Sequence, residues 1–239
     1  MSVNKDFNLI LNNNIYTIEP EFNITNDNNI QYKILKISLN PQAKKILIII
    51  VGLSLDSFNI NFNTLNKNLH KIKDKYKEIF FFQTDAKENL KKYVKLMQEK
   101  ENKEEALINN MMQHIMAKHI DKIIRQLNKK IKADIDIIGV SFGGGIASIL
   151  STIIKIKKLI LVAPGITQGI SIIPKKQEII LSWCIQDNKL PFNIYGLKSI
   201  NQLLHHKNKT ILLSDLILEK EQLTDDITHK LQDSIFDII

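Results

Sequence analysis

Short apolar runs rich in β-branched residues alternate along the chain with longer amphipathic segments. Five of these runs predict buried strands: Ile46–Val51, Glu78–Gln83, Asp134–Val140, Lys158–Ala163 and Gln177–Ile185. Apolar positions at helical spacing predict helices over Phe62–Tyr76, Asn89–Lys132, Phe142–Ile154 and Gly196–His206. The pattern ends with a strand at Thr210–Ser214 and a helix at Thr228–Ile238. Strands that alternate with helices are typical of an α/β protein with a mostly parallel sheet covered by helices on both faces.

The N-terminal part of the chain has a different pattern. Apolar residues at Phe7–Ile18 and Ile30–Leu39 predict two strands without a helix between them, which favours an antiparallel pair. No linker rich in glycine, serine or proline divides the rest of the sequence. We therefore expect one domain over residues 1–239, with antiparallel strands in residues 1–40 and the core in residues 44–239.

Composition is ordinary for a globular protein, and the charge is basic. Hydrophobic residues make up 44% of the chain and charged residues 24%, which excludes collagen-like and wholly disordered chains. Lysine and arginine number 33 against 25 acidic residues, a formal net charge of +8. Arg125 is the single arginine, although arginine usually reads bases and clamps phosphates. Abundant lysine, asparagine and isoleucine indicate an AT-rich genome, so we predict no specific nucleic-acid partner and leave contact with an anionic surface open.

Cysteine usage and hydropathy bear on the compartment. Cys184 is the single cysteine, which excludes a disulfide framework, and its place in a predicted strand favours a buried core residue. Residues Met1–Leu11 lack the apolar run of a secretion signal, and the longest apolar runs are too short to span a bilayer. We expect a soluble cytoplasmic protein, and the sequence leaves its oligomeric state open.

One junction between a predicted strand and a predicted helix carries a chemical motif. It reads Gly139-Val140-Ser141-Phe142-Gly143, which is G-x-S-x-G. A sharp strand-to-helix turn projects the Ser141 hydroxyl above the sheet, and the flanking glycines have no side chains to clash there. The helix N-terminus favours negative charge, and the Phe142 backbone N–H is positioned to donate to an oxyanion. The alternative is a serine that caps a helix, with glycines that serve packing alone.

A serine nucleophile needs a base, and the base needs an orienting carboxylate. In the fold that carries this kind of turn, the chain order is serine, acid, histidine. Asp187 comes just past the predicted strand Gln177–Ile185, at the same edge of the sheet as Ser141. Its alternative role is that of an ordinary turn aspartate. His229 follows the last predicted strand, where this fold places the base. The sequence thus predicts a triad of Ser141, Asp187 and His229.

The remaining histidines are weaker candidates for the base. His205 and His206 end a predicted helix, where they would act as C-terminal cap residues. Three others fall within predicted helices and indicate structural or exposed positions: His70, His114 and His119.

The loop after the first buried strand is the expected source of a second oxyanion donor. It reads Val51-Gly52-Leu53-Ser54. Gly52 permits the turn, and the backbone N–H of Leu53 is the candidate donor.

Together these segments resemble the α/β-hydrolase superfamily. The motif at residues 139–143 matches the family pattern completely, and residues 159–164 resemble the strand that follows the nucleophile helix. Residues 187–191 and 228–231 resemble the family's acid and histidine loops. Two positions depart from the pattern. Many members have His-Gly where this chain has Val51-Gly52, and glycine or aspartate often stands in place of Thr228.

The resemblance implies a serine esterase, thioesterase or lipase-like enzyme. Such an enzyme acts on a small-molecule or acyl-chain substrate through an acyl-enzyme and needs no metal or organic cofactor. Members with lids insert long helical segments where this chain has only Pro164–Lys176, which implies no large cap domain. The lid is then minimal, or the charged segment Asn89–Glu105 replaces it. The alternative is a catalytically inactive protein of the same fold that binds a partner or a lipid.

Overall fold

The computed structural model describes residues 7–11, 14–25, 31–52, 55–85, 105–165, 173–174, 176–214 and 230–239. The strands in these segments are β1 (Phe7–Leu11), β2 (Asn14–Thr25), β3 (Gln31–Ser38), β4 (Lys45–Ile50), β5 (Glu78–Asp85), β6 (Asp134–Val140), β7 (Lys158–Val162), β8 (Glu178–Cys184) and β9 (Lys209–Ser214). The helices are α1 (Leu55–Ile72), α2 (Glu105–Ile131), α3 (Phe142–Ile153), α4 (Leu197–Leu203) and α5 (Ile235–Ile238). A π-helical turn at Phe192–Gly196 leads into α4.

The strands of the described segments form one mixed sheet in the order β1-β2-β3-β5-β4-β6-β7-β8-β9. The pairs β1–β2, β2–β3 and β3–β5 are antiparallel. Neighbours from β5 to β9 are parallel, because crossover segments return the chain to the same edge between successive strands. The predicted α/β class, with a mostly parallel sheet and an antiparallel N-terminal start, is confirmed.

Helices cover both faces of the parallel part. Side chains alternate along β4, so that Ile46, Ile48 and Ile50 pack in the core layer that contains residues of α2 and α3. Leu47 and Ile49 pack in the opposite layer, with residues of α1 and α5. All five side chains are fully buried. The continuous apolar run in this strand therefore reflects burial on both faces, as the sequence predicted.

The two ends of the chain differ from the prediction. The predicted strand Phe7–Ile18 contains two strands, since β1 pairs antiparallel with β2. The helix predicted at Thr228–Ile238 is helical only over Ile235–Ile238 within the described residues 230–239. The backbone N–H of Leu231 donates to Oδ1 of Asn61 at 2.7 Å, which attaches this segment to α1 before the helix begins.

The long helix α2 confirms the C-terminal part of the predicted helix Asn89–Lys132. Residues 89–104 of that prediction lie outside the described residues. Within the described ranges, no helix combines the length and the apolar character that a membrane crossing needs.

Candidate active site

The predicted site lies where the strand order of the sheet reverses. The chain passes from β4 to β5 on one side and then returns to place β6 on the other side of β4. Loops that leave the carboxyl ends of such strands diverge, and the crevice between them is the usual ligand site of an open parallel sheet. Gly52 follows β4 and Ser141 follows β6. A Cβ built on Gly52 would lie 3.7 Å from the Cβ of Ser141, so the two loops meet at this edge.

Ser141 forms the turn between β6 and α3 in a strained backbone conformation. Its φ is 56° and its ψ is −124°, a region that residues other than glycine rarely occupy. Hydrogen bonds on both sides of the residue hold it there. Its N–H donates to the carbonyl of Val162 at 2.9 Å, and its carbonyl accepts the N–H groups of Gly144 and Gly165, each at 2.8 Å. The side chain makes no hydrogen bond that caps α3, so the capping role does not explain this serine.

The glycines of the motif allow α3 to begin directly on the sheet. A Cβ at Gly143 would overlap the carbonyl of Ile50 in β4. A Cβ at Gly139 would lie 2.6 Å from the Cβ of Ala147. Any side chain at either position would push the first turn of the helix away from β4 and β6. The glycines therefore fix the position of the helix N-terminus, whose partial positive charge stabilises an anion at this edge.

Asp187 lies just beyond the end of β8 and is 3% exposed. Its Oδ1 accepts the backbone N–H groups of Lys189 and Leu190, each at 2.9 Å, which fixes the plane of the carboxylate. The turn role expected as the alternative is therefore present. Because β7 alone separates β6 from β8, the loops that carry Ser141 and Asp187 leave the sheet two strand spacings apart, about 10 Å.

His229 and Leu53, the predicted base and the predicted second oxyanion donor, lie outside the described residues. The described chain resumes at Lys230, and the next residue, Leu231, is anchored to Asn61 of α1 as described above.

The anchor on α1 connects the C-terminal segment with the edge that carries Ser141. Asn61 Nδ2 donates to the carbonyl of Ser57 at 2.6 Å, one turn earlier in α1. The Ser57 hydroxyl would lie 3.1 Å from a Cβ built on Gly52, the residue that adjoins Ser141. A continuous series of contacts therefore runs from Leu231 to the crevice.

Of the histidines considered weaker candidates for the base, one is buried and three are exposed. His206 is buried, and its Nε2 lies 3.0 Å from the carbonyl of Pro174. Its backbone N–H donates to the carbonyl of Leu203 at 2.9 Å, as expected of a residue that ends a helix. His70, His114 and His205 are exposed.

Two residues beside Ser141 were not predicted from the sequence. Gln113 of α2 is 2% exposed, and its Nε2 donates to the carbonyl of Gly165 at 2.7 Å and to that of Phe142 at 3.4 Å. Gly165 follows β7 and donates to Ser141. The sequence feature that could have indicated a role for Gln113 is that this polar residue stands among apolar positions that pack in the core, Met112 and Met116. The bonds themselves join parts of the chain far apart in sequence, so no local pattern predicts them.

A cavity of about 300 Å³ lies elsewhere, among Ile156, Gln177 and neighbouring residues. These residues precede β7 and β8, at the edge of the sheet opposite Ser141, so we do not assign this cavity to the substrate. In the part of the chain that the structure describes, no group of three or more His, Cys, Asp and Glu side chains is placed to hold a metal ion.

The architecture is that of the α/β hydrolases, as the sequence resemblance implied. The fold matches a predicted CIB-like hydrolase from Thermoplasma acidophilum with a TM-score of 0.52 and 16% identity, over 84% of this chain and 88% of that one. It matches an α-β serine hydrolase homologue from Coxiella burnetii with a TM-score of 0.53 and 15% identity, over 90% and 89%. A dienelactone hydrolase from Anabaena variabilis matches with a TM-score of 0.53 and 10% identity, over 82% and 85%.

One protein-family model matches part of the sequence. The model of an uncharacterised protein family, UPF0227, matches residues 83–178, which is less than half of the chain but includes α2, the motif around Ser141 and β7. No curated protein matches the sequence.

Proposed function

We propose that the chain is a serine hydrolase that cleaves esters or thioesters by acyl transfer. Ser141 is the nucleophile, His229 the general base and Asp187 the carboxylate that orients the base. The observation that carries the proposal is the backbone of Ser141, which is held at a positive φ between β6 and α3. A strained residue with its backbone bonded on both sides is typical of a functional position, because a serine that only capped a helix would not need that conformation.

The reaction has two steps. His229 accepts the Ser141 hydroxyl proton while Oγ forms a bond to the acyl carbon. The tetrahedral oxyanion accepts hydrogen bonds from the Phe142 and Leu53 backbone N–H groups. The C–O or C–S bond of the substrate then breaks, and the imidazolium donates its proton to the leaving alcohol or thiol. Water, deprotonated by His229, then attacks the acyl-enzyme. The bond to Oγ breaks, the imidazolium returns its proton to Oγ, and the acid is released.

The assignment of His229 comes from its order in the chain, and the reach of the chain from Leu231 supports it. Leu231, two residues further on, is fixed on α1 close to the loop that adjoins Ser141. A residue two positions from such an anchor reaches about 7 Å at full extension, and its side chain reaches further. A base that bridges Ser141 and Asp187 is compatible with the spacing of about 10 Å between the loops that carry them.

Hydrolysis of p-nitrophenyl esters of increasing acyl-chain length tests the proposal. Wild-type protein is expected to release p-nitrophenol, and Ser141→Ala to release none above background. Asp187→Asn keeps an oxygen that can accept the Lys189 and Leu190 amides but loses the negative charge. It should therefore fold and lose about 10³- to 10⁴-fold in kcat. No hydrolysis by folded wild-type protein at any chain length, or full activity of Ser141→Ala, would contradict the proposal.

A further inference from the structure

The peptide group between Ser141 and Phe142 carries both the Ser141 carbonyl and the Phe142 N–H. This group is planar and trans, so the carbonyl and the N–H point in opposite directions. Whatever fixes the direction of the Ser141 carbonyl therefore also aims the N–H that serves as oxyanion donor in the proposed function. Two hydrogen bonds do this, from the N–H groups of Gly144 and Gly165, each at 2.8 Å.

The two donors differ in how they are held. Gly144 belongs to the first turn of α3, so its N–H is placed by the helix itself. Gly165 lies three residues beyond the end of β7, outside any regular element. Its carbonyl accepts a hydrogen bond from Gln113 Nε2 at 2.7 Å, which joins this loop to α2.

The surroundings of Gln113 accommodate a buried amide. The residue is 2% exposed. Its side chain lies between α2 and α3, in a layer of apolar side chains that includes Met112 and Met116. Burial of an amide in such a layer is unfavourable unless the amide is hydrogen-bonded. A Cβ at Gly145 of α3 would overlap the Gln113 amide, so the glycine leaves the space that the amide occupies.

We propose that Gln113 is a positioning residue for the oxyanion donor. It holds the Gly165 carbonyl, Gly165 holds the Ser141 carbonyl, and the planar peptide group transmits that orientation to the Phe142 N–H. This inference rests on the proposed function. A donor aimed in advance stabilises charge that develops in the transition state more than it stabilises the bound ester. Loss of Gln113 is therefore expected to lower kcat with little effect on KM.

The test compares Gln113→Met, which keeps the side-chain volume and removes the N–H donor, with Gln126→Met on the exposed face of the same helix. kcat and KM for p-nitrophenyl esters are measured together with inhibition by an alkyl trifluoromethyl ketone, whose serine adduct carries an oxyanion. Gln113→Met should lower kcat about tenfold or more, weaken inhibition by about the same factor and leave KM within about twofold. Gln126→Met should match wild type in all three measurements.

Circular dichroism and thermal melting establish that each variant is folded. If Gln113→Met does not fold, Gln113→Asn replaces it, because its amide is one methylene too short to reach Gly165. A folded variant with wild-type kcat and inhibition, or with a raised KM alone, would overturn the role of Gln113 while the proposed function stands. Wild-type protein without esterase activity would overturn the proposed function, and this inference with it.

Discussion

At the scale of single residues, the conformation of Ser141 is the feature that a structural role does not explain. A positive φ at a residue with a Cβ costs about 1–3 kcal/mol, and the surrounding hydrogen bonds must supply that free energy. The cost has a measurable consequence, because glycine adopts this conformation without strain.

Replacing Ser141 by glycine is expected to raise the free energy of unfolding, by about 1 kcal/mol relative to Ser141→Ala. Both variants lack the hydroxyl, but alanine keeps the Cβ that makes the conformation unfavourable. Urea denaturation of the two variants measures the difference directly. If Ser141→Gly is less stable than Ser141→Ala, the strain assigned to this position is absent.

Residue patterns located part of the candidate site. Ser141 and Asp187 could be proposed from the sequence because each follows a recognisable strand and carries a reactive side chain. Gln113 and Gly165 could not, since a hydrogen bond between α2 and the loop after β7 depends on the packing of helices on the sheet. The position of a candidate side chain at the end of a strand was therefore predictable, and the hydrogen bonds that hold the loops around it were not.

At the scale of secondary-structure elements, the strands buried on both faces were the most predictable feature. Runs such as Ile46–Val51 are apolar at every position, and the observed strand Lys45–Ile50 differs from that run by one residue at each end. The N-terminal strands were less predictable, because the three asparagines between two apolar runs, at residues 12–14, do not by themselves reveal whether the chain continues or turns. The result was one predicted strand where β1 and β2 form a hairpin.

The C-terminal segment shows how tertiary contacts override a helical pattern. Apolar residues at helical spacing predicted a helix over Thr228–Ile238, yet Lys230–Ser234 is not helical. The amide of Leu231 donates to Asn61, and the side chain of Asp233 accepts a hydrogen bond from Asn68 at 2.8 Å. Both bonds attach the segment to α1. The residues that follow them, Ile235 and Phe236, are fully buried and form the short helix α5.

At the scale of the whole molecule, a buried polar cluster lies near the edge of the sheet opposite Ser141. Asp136 of β6 is fully buried, and its Oδ2 accepts a hydrogen bond from the Tyr76 hydroxyl at 2.9 Å and lies 3.3 Å from Lys45 Nζ. Burial in the first place, and the negative charge of Asp136 in the second, raise the pKa of Tyr76 above its ordinary value. The folded protein therefore keeps this phenol protonated at a pH where the unfolded chain has lost the proton.

This cluster predicts a loss of stability at alkaline pH. The contribution of Tyr76 is fully present below pH 10, the ordinary pKa of tyrosine. Above pH 10 the unfolded state binds fewer protons than the folded state, so the free energy of unfolding falls by up to about 1.4 kcal/mol per pH unit from this group. Tyr76→Phe should cost about 2 kcal/mol near pH 7, through loss of a hydrogen bond to a charged group. The difference in free energy of unfolding between Tyr76→Phe and wild type should become smaller above pH 10.

Urea unfolding between pH 7 and pH 11 measures that gap. Tyr195→Phe is the matched control, because Tyr195 is 37% exposed and its substitution should change stability by no more than about 0.5 kcal/mol. If the free energies of unfolding of wild type and Tyr76→Phe differ by the same amount at every pH from 7 to 11, the phenol proton does not contribute to stability.

Covalent labelling by a fluorophosphonate, followed by peptide mapping, shows directly whether Ser141 is the nucleophile. Trypsin is expected to release residues 133–155 as one peptide, which contains Ser141 and also the buried Ser148 and Ser151. Fragmentation of that peptide distinguishes the three serines. One adduct per chain is expected, located on Ser141 and absent from Ser141→Ala. Folded wild-type protein that takes up no label, or that takes it up on another residue, would contradict the assignment of Ser141 as the nucleophile.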